Sequence, residues 1–167
     1  CLVGSEMCIR DRFDIHWLEE PINPPEDFDS LAKLASDTGI PIAAGENACT
    51  AFEFKKMIRS GAVSFAQPSV AKVGGITEFR KIAALAEVLG TQLMPHSPYF
   101  GPGFLATLHL AQSIASPGWI ERIFIEPEAA LYPREIFDPV GGSFKVSNGI
   151  GLGFEPDLDV VKTYRLD

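Results

Sequence analysis

Five residues whose side chains can transfer protons or bind ligands recur along the chain at nearly equal intervals. They are Glu19, Glu46, Ser69, His96 and Glu121, and the gaps between them are 27, 23, 27 and 25 residues. Each gap is about the length of one strand and one helix with their loops. In a parallel barrel the carboxyl ends of all strands open onto the same face, so residues far apart in sequence meet there. The regular spacing therefore predicts an enzyme, or part of one.

The elements that must position these residues alternate between strand and helix. Strands are predicted over residues 15–18, 40–44, 63–66, 92–94 and 119–125. Helices are predicted from 24–27 to a stop at Gly39, over 51–60, from Gly75 to a stop at Gly90, and over 104–114. Strands that alternate with helices of this length pair in parallel through right-handed crossovers. The predicted fold class is α/β, a partial (β/α) TIM-like barrel of five strand–helix units.

The sequence divides into a barrel part, residues 13–126, and a tail, residues 127–167. The tail is rich in proline and glycine and has no regular alternation of strand and helix patterns. Within it, residues 143–146 are predicted to form a short strand, and residues 157–161 are predicted to begin a helix. The tail is therefore expected to be largely irregular.

The first twelve residues, CLVGSEMCIRDR, have neither helical nor strand periodicity and do not lead into the sequence that follows. They resemble the translation of a transposase sequencing adapter. A leader peptide is the alternative, but the segment has no apolar core and no small-residue cleavage site to support it. We therefore expect residues 1–12 to be foreign to the natural chain, which would begin at Phe13 as the downstream part of a longer reading frame.

Composition restricts the compartment and the class of partner. Outside residues 1–12 the only cysteine is Cys49, which cannot form an internal disulfide, so a reducing compartment such as the cytoplasm is expected. The net charge of −8 argues against nucleic acids and anionic membranes as partners. No apolar run approaches the ~20 residues that a membrane-spanning helix needs. An anionic substrate would need a local cation.

Five blocks of sequence carry a resemblance to a known family: WLEEP (17–21), IAAGEN (42–47), AQPSVAKVGGITE (66–78), MPHSPYFGPG (94–103) and WIER (119–122). In this order and spacing they resemble the mandelate racemase and muconate lactonizing enzyme family of the enolase superfamily, over essentially all of residues 13–167. The resemblance implies about the last five strand–helix units of a modified barrel, with a tail that packs back on the barrel or a capping domain. It also implies a homo-oligomeric protein that removes the proton next to a carboxylate of a small substrate.

The resemblance further implies that Glu19 and Glu46 are two of three ligands of Mg²⁺. Removing a proton beside a carboxylate places two negative charges on one group, and a divalent cation supplies the field that makes this accessible. Mg²⁺ prefers hard oxygen ligands. Strand alternation sends Glu19 and Glu20 to opposite faces, so we assign the ligand to the first of them. Taken singly, these acids would be a solvated turn and a helix start, but the full set of blocks favours the metal site.

His96 and Glu121 are the catalytic residues that the resemblance implies. His96 matches the general acid/base at the end of the seventh barrel strand, and an imidazole suits proton transfer near neutral pH. Glu121 matches a carboxyl group that hydrogen-bonds the substrate carboxylate; its alternative is a salt bridge to Arg122 or another neighbour. His16 and His109 lack comparable context and are expected to be structural.

Ser69 departs from the family pattern. Members of this branch commonly have aspartate there, paired with the histidine, whereas another branch has lysine. Serine can hydrogen-bond an imidazole but cannot hold its charged form as a carboxylate does, so we expect either that the imidazole of His96 is less readily protonated or that a different group orients it. We interpret Ser69 and Lys72 as substrate-binding or dyad positions, with Lys72 a loop cation rather than a substitute base.

Three functions are compatible with this pattern. The leading hypothesis is a Mg²⁺-dependent hydro-lyase, an acid-sugar dehydratase, in which His96 helps to expel the β-hydroxyl after the α-proton is removed. The second is a racemase or cycloisomerase that acts on a hydroxy acid through the same proton removal. The third is a non-catalytic relative that keeps the barrel and binds a small acid, with Ser69 marking the loss of activity.

We predict that the polypeptide on its own is catalytically silent and either poorly soluble or self-associated. The family's paired-lysine motif, its first metal ligand and its capping domain would lie upstream of Phe13. Five strands without the rest of a barrel also leave two open sheet edges, which native proteins avoid. Analytical ultracentrifugation of the purified chain checks this prediction, and a soluble monomer that melts cooperatively would contradict it.

Overall fold

The structure, a computed structural model, describes residues 13–114 and 118–166. The expectation that residues 1–12 are foreign falls outside the described residues. Short apolar runs form four parallel strands in the order β1-β2-β3-β4. The strands are β1 Leu18–Glu19, β2 Ile42–Ala44, β3 Phe65–Ala66 and β4 Gln92–Leu93. Consecutive strands are therefore neighbours in the sheet, as parallel pairing through crossover helices requires.

A helix follows each strand: α1 Phe28–Thr38, α2 Ala51–Arg59, α3 Ile76–Leu89 and α4 Pro102–Ser113. Local sequence sets their ends. The Asp27 side chain caps α1 by accepting a hydrogen bond from the Ser30 amide, and Gly39, in the left-handed conformation with φ 64°, ends it. Among the described residues, no helix has the length and apolar character needed to cross a membrane.

The two faces of the sheet bury different side chains. Ile42 and Ala44 belong to the main core, which the apolar sides of the helices complete around the fully buried Phe54 and Phe79. Ala43, between them, lies in a separate cluster on the opposite side. This alternation fixes the register of the strands, because a slip of one residue would reverse every side chain. The residues that follow the strands are therefore held at one edge.

The tail packs on α4 through a second apolar cluster. Phe104, Leu105 and Leu108 of α4 are buried there together with Tyr132, Ile136 and Phe137. The tail contains a 3-10 helix, Arg134–Ile136, and a terminal helix, α5 Leu158–Tyr164, whose first amides are capped by Asp157. The predicted helix start over 157–161 is therefore confirmed.

The α/β fold with a parallel sheet is confirmed as a partial barrel, but the fifth strand predicted over 119–125 is wrong. Within the described residues this segment forms no strand, although the Trp119 amide contacts the sulfur of Met94, just after β4. The Met94 amide donates to the Ala66 carbonyl of β3. Because successive amides of a strand point to opposite sides, the amide of residue 95 would have to pair with the predicted fifth strand. That residue is Pro95, which has no N–H to donate.

The short strand predicted over 143–146 is also wrong. In this part of the described chain a single antiparallel bridge joins Val140 to Ser143. Gly141 and Gly142, both with positive φ, make the tight turn between them. Phe144 then packs against the tail cluster through its side chain and makes no strand pairing.

Candidate active site

Four of the predicted residues lie along the carboxyl edge of the sheet. Glu19 is the last residue of β1, Glu46 comes two residues after β2, and Ser69 and His96 come three residues after β3 and β4. Because β1 to β4 are neighbours in that order, the turns that carry these residues are neighbours too. The equal spacing in the sequence thus corresponds to one shared edge.

His96 is almost buried between two carboxylates. Its Nδ1 atom lies 3.0 Å from Oε2 of Glu121 and 3.3 Å from Oε2 of Glu46. Only 9% of the residue is exposed. Both contacts have ion-pair distances, but neither has the direction of a formed hydrogen bond. Catalytic hydrogen bonds are often misaligned before substrate binds and tighten afterwards.

Glu121 is held by the residue next to the histidine. The amide of Ser97 donates to Glu121 Oε2 at 3.1 Å, and the Ser97 hydroxyl donates to the Glu121 carbonyl at 2.9 Å. The alternative partner, Arg122, instead donates to the carbonyl of Phe137 and pairs with Asp138 at 3.4 Å. Glu121 therefore faces His96, whereas Arg122 faces the tail.

Glu46 joins the histidine to the one lysine predicted at this site. Lys72 Nζ lies 3.2 Å from Glu46 Oε1, while the other carboxylate oxygen faces His96. The Lys72 side chain is 40% exposed, so its ammonium group can also reach solvent or a ligand. The structure thus brings Glu46, Lys72, His96 and Glu121 together.

Ser69 is fully buried and does not contact His96. Its hydroxyl shares a short hydrogen bond with the hydroxyl of Tyr99 and accepts another from the Lys72 amide at 3.2 Å. The Tyr99 ring stands edge-on to the imidazole, with the ring centroids 6.1 Å apart. Tyr99 was not among the predicted site residues, although it lies only three positions after His96. Its position three residues after His96 was the signal in the sequence that could have identified Tyr99 as a site residue.

The two acids that end β1 have different surroundings. Glu19 is exposed, and its Oε2 accepts a hydrogen bond from the Trp17 indole at 3.0 Å. Glu20 is half-buried, and its Oε1 accepts a hydrogen bond from the Gly45 amide at 2.9 Å. Glu20 is thus engaged with the backbone, whereas Glu19 remains open at the edge. In the described part of the chain, no hydrogen bond or ion pair joins Glu19 to another predicted site residue.

The chemistry of the donor set fits two ligands of a hard divalent cation. Glu19 and Glu46 supply carboxylate oxygens from the ends of the adjacent strands β1 and β2. Mg²⁺ is usually bound by one or two carboxylates and keeps several waters. Within residues 13–114 and 118–166, no group of three or more acidic, histidine or cysteine side chains is arranged to hold a metal ion. Glu19 and Glu46 as metal ligands therefore stay a prediction.

Replacing Glu20 with alanine is expected to destabilise the fold by roughly 1–3 kcal/mol, the usual cost of leaving a buried amide without an acceptor. The Glu20 carboxylate takes the place that a backbone carbonyl would fill if β1 continued beside Gly45. Glutamine keeps an oxygen acceptor, so Glu20→Gln is expected to cost less. Urea unfolding of both variants checks the prediction, and equal losses would contradict it.

Gly45, directly before Glu46, is expected not to tolerate a side chain. Its φ is 130°, and an added Cβ would lie 2.7 Å from the ring of the fully buried Phe54 and 3.2 Å from the backbone of Gln67. Overpacking of this kind costs about 1–3 kcal/mol beyond the backbone strain. In Gly61→Ala, the matched control, φ is 76° and the added Cβ meets nothing within 4 Å. Equal unfolding free energies for the two variants would contradict the prediction.

The other two histidines lie away from the His96 cluster. His16 stacks on Trp119 with ring centroids 4.9 Å apart. His109, on α4, has its Nε2 atom 3.3 Å from the carbonyl oxygen of Leu152 in the tail. Both contacts join separate segments of the chain, which is the structural role that the sequence predicted.

Comparison with known families gives one match over most of the chain. The sequence model of the family described as enolase C-terminal domain-like matches residues 3–160. The resemblance to the enolase superfamily that the five sequence blocks carry is thereby confirmed.

Solved structures of related enzymes match the same fold. L-Talarate dehydratase from Polaromonas sp. JS666, complexed with Mg and L-glucarate, is 34% identical over 74% of this chain and 31% of its own, with a TM-score of 0.63. The 3,6-anhydro-D-galactonate cycloisomerase from Zobellia galactanivorans is 30% identical over 97% of this chain and 46% of its own, with a TM-score of 0.85. A mandelate racemase/muconate lactonizing enzyme from Polaromonas sp. JS666 is 34% identical over 78% of this chain and 34% of its own, with a TM-score of 0.65. The chain thus spans less than half the length of these enzymes.

Proposed function

The chain belongs to the enolase C-terminal domain-like family, and from this premise we propose that the whole protein is a hydro-lyase that dehydrates an acid sugar. The reaction would begin with removal of the proton next to the substrate carboxylate and end with loss of the β-hydroxyl as water. The observation that carries the proposal is the cluster in which His96 lies within 3.3 Å of two carboxylates at the carboxyl edge of the sheet.

His96 is the residue proposed to move a proton. Its Nδ1 atom faces Glu121 and Glu46, and no described residue hydrogen-bonds its Nε2 atom. A protonated Nε2 would donate its proton to the departing hydroxyl, which leaves as water while the imidazole becomes neutral.

Glu19 and Glu46 are proposed to hold Mg²⁺. When bound, the ion would supply the positive charge that stabilises negative charge developing on the substrate carboxylate. Lys72, beside Glu46, would provide a second cation at the edge for an anionic substrate. A local cation is needed because the chain as a whole carries a net charge of −8. The Mg- and L-glucarate-bound talarate dehydratase supports both the cofactor and the substrate class.

A cycloisomerase is the second candidate. It is favoured by the likeness to the 3,6-anhydro-D-galactonate cycloisomerase, which extends over 97% of this chain. Cycloisomerisation and dehydration share the removal of a proton next to the carboxylate. They differ in the group that leaves afterwards, an external hydroxyl or a ring oxygen.

The two candidates are separated by assaying the whole protein with Mg²⁺ against open-chain acid sugars and cyclic anhydro acids. A dehydratase is expected to release a keto acid from an open-chain substrate, detected by absorbance of its semicarbazone. NMR in D₂O would also show deuterium entering next to the carboxylate. Turnover of anhydro acids alone would favour the cycloisomerase. No proton exchange and no product from any acid would contradict both.

A further inference from the structure

We infer that Arg122 is a positioning residue of the proposed active site, because it ties the segment that carries Glu121 to the tail and so fixes the Glu121 carboxylate beside His96. The inference rests on the proposed function for the role of the site and extends it to a residue outside the cluster. It is carried by two sets of contacts on consecutive residues, which hold this segment from opposite sides.

The segment that carries Glu121 has no strand pairing to hold it. Within the described part of the chain, residues 118–125 pair with no neighbouring strand and make no hydrogen bond between backbone groups. On the sheet side, the amide and the hydroxyl of Ser97 donate to the carboxylate and the carbonyl of Glu121. The Trp119 amide contacts the sulfur of Met94. Side-chain contacts must therefore do here what a backbone ladder does for β1 to β4.

Arg122 supplies contacts on the opposite side of this segment. Its Nε atom donates to the carbonyl of Phe137, and its Nη2 atom donates to Asp138 Oδ1 at 3.4 Å. The guanidinium also lies against the rings of Phe100 and Phe124, with its central carbon 5.2 Å from each ring centroid. The side chain is only 11% exposed. A planar, rigid guanidinium that is held at two nitrogens and against two rings has little freedom to move.

The residue to which Arg122 is tied is itself well fixed. Phe137 is 3% exposed, and its ring packs against that of Phe104 on α4 with the ring centroids 5.3 Å apart. Phe104 is fully buried. A continuous path of contacts therefore runs from α4 through the tail to Arg122, and from there along the backbone to Glu121.

Arg122 is poorly explained as a source of stability alone. Its Nη1 atom is buried and has no hydrogen-bond partner in the described chain, and its ion-pair partner Asp138 is half exposed. Replacing buried charged groups by apolar side chains of similar volume is often neutral or even stabilising. Methionine is such a side chain, and its sulfur packs well against aromatic rings. We therefore expect Arg122→Met to fold and to lose mainly the tie to the Phe137 carbonyl.

The kinetic test is a double-mutant cycle in the whole protein with Arg122→Met, Glu121→Ala and the double variant. Because a misplacement of about 1 Å that arises far from the chemistry can cost 10²-fold in rate, Arg122→Met alone is expected to lower kcat/KM by about 10–100-fold. If Arg122 acts through Glu121, adding Arg122→Met to Glu121→Ala is expected to cost no more than about threefold further, since residues that share one effect are not additive. Equal losses in the two backgrounds would overturn the inference.

Arg134→Met is the matched control for this cycle. Arg134 lies near Asp138, as Arg122 does, but its side chain is 61% exposed and pairs with Glu126 rather than with the Phe137 carbonyl. The control removes the same charge from the same region and is expected to leave kcat/KM within about twofold of the wild type. A loss as large as that of Arg122→Met would show an effect of charge or of the tail as a whole, and would overturn the inference.

A structural test does not depend on turnover. In crystal structures of the wild-type whole protein and of its Arg122→Met variant, the variant's Glu121 carboxylate is expected to leave hydrogen-bond range of the Ser97 amide, from which it accepts at 3.1 Å. If that contact and the 3.0 Å approach of Glu121 to His96 are the same in both, the inference is overturned. If no acid is turned over, the proposed function fails, whereas this comparison still decides the role of Arg122.

Discussion

Replacing His96 with asparagine in the whole protein is expected to reduce kcat by about 10²–10⁴-fold, the contribution typical of a positioned general acid or base. The imidazole is the only group of the described cluster that can both accept and donate a proton near neutral pH. Asparagine fills part of the same space but cannot exchange a proton with substrate. Steady-state kinetics with the substrate found for the whole protein measure the loss.

The control for this prediction is His109→Asn. His109 lies on α4, and its contact with Leu152 ties the helix to the tail rather than to the cluster. Its replacement is expected to lower the melting temperature modestly and to leave kcat within about twofold. Equal losses of kcat in the two variants would mean that His96 acts through stability and not through chemistry.

Glu46→Gln is expected to weaken binding of Mg²⁺ to the whole protein by at least about 100-fold, since replacing even an indirect partner of a metal site commonly costs 10–100-fold. Glutamine keeps the shape of the side chain but removes the negative charge that a hard divalent cation needs from its ligand. Calorimetric titration with Mg²⁺, or electron paramagnetic resonance with Mn²⁺, measures the change.

The matched control is Glu87→Gln, an exposed acid on α3. It removes the same charge from the chain, so any long-range effect of net charge on cation affinity is the same in both variants. Affinity is expected to fall only in Glu46→Gln. If both variants bind Mg²⁺ as the wild type does, Glu46 is not a ligand.

The meeting of Glu46 and His96 could be predicted from sequence because it depends on regular features. Apolar runs of strand type, separated by amphipathic helices, determine that the strands are parallel. Parallel strands determine that all following turns meet at one edge. Residues placed at the start of successive turns are then held along that edge, although Ser69 pairs with Tyr99 and Glu19 with Trp17 rather than with His96.

Two other features could not be predicted, because they depend on single atoms. The fifth strand does not form, because Pro95 stands where an amide would have to donate, although the apolar, β-prone residues of 119–125 are typical of a strand. The pairing of Ser69 with Tyr99 depends on the direction of one tyrosine ring, which lies against the backbone of Gly103. The orientation of the Tyr99 ring cannot be predicted from residue spacing or composition.

The same distinction applies to Glu20. Strand alternation predicted that it would not share the direction of Glu19. Its contact with the Gly45 amide could not be predicted, because it depends on where β1 ends relative to β2. Through that hydrogen bond, Glu20, which follows the proposed ligand Glu19, supports Gly45, which precedes the proposed ligand Glu46.

A crystal structure of the whole protein grown with Mg²⁺ tests the central claim most directly, namely that Glu19 and Glu46 share one cation at the edge that His96 faces. The predicted result is one ion with a carboxylate oxygen of each acid at about 2.0–2.1 Å and the imidazole on the same side of the sheet. An ion held by neither acid, or by only one of them with the other turned away, would contradict the claim.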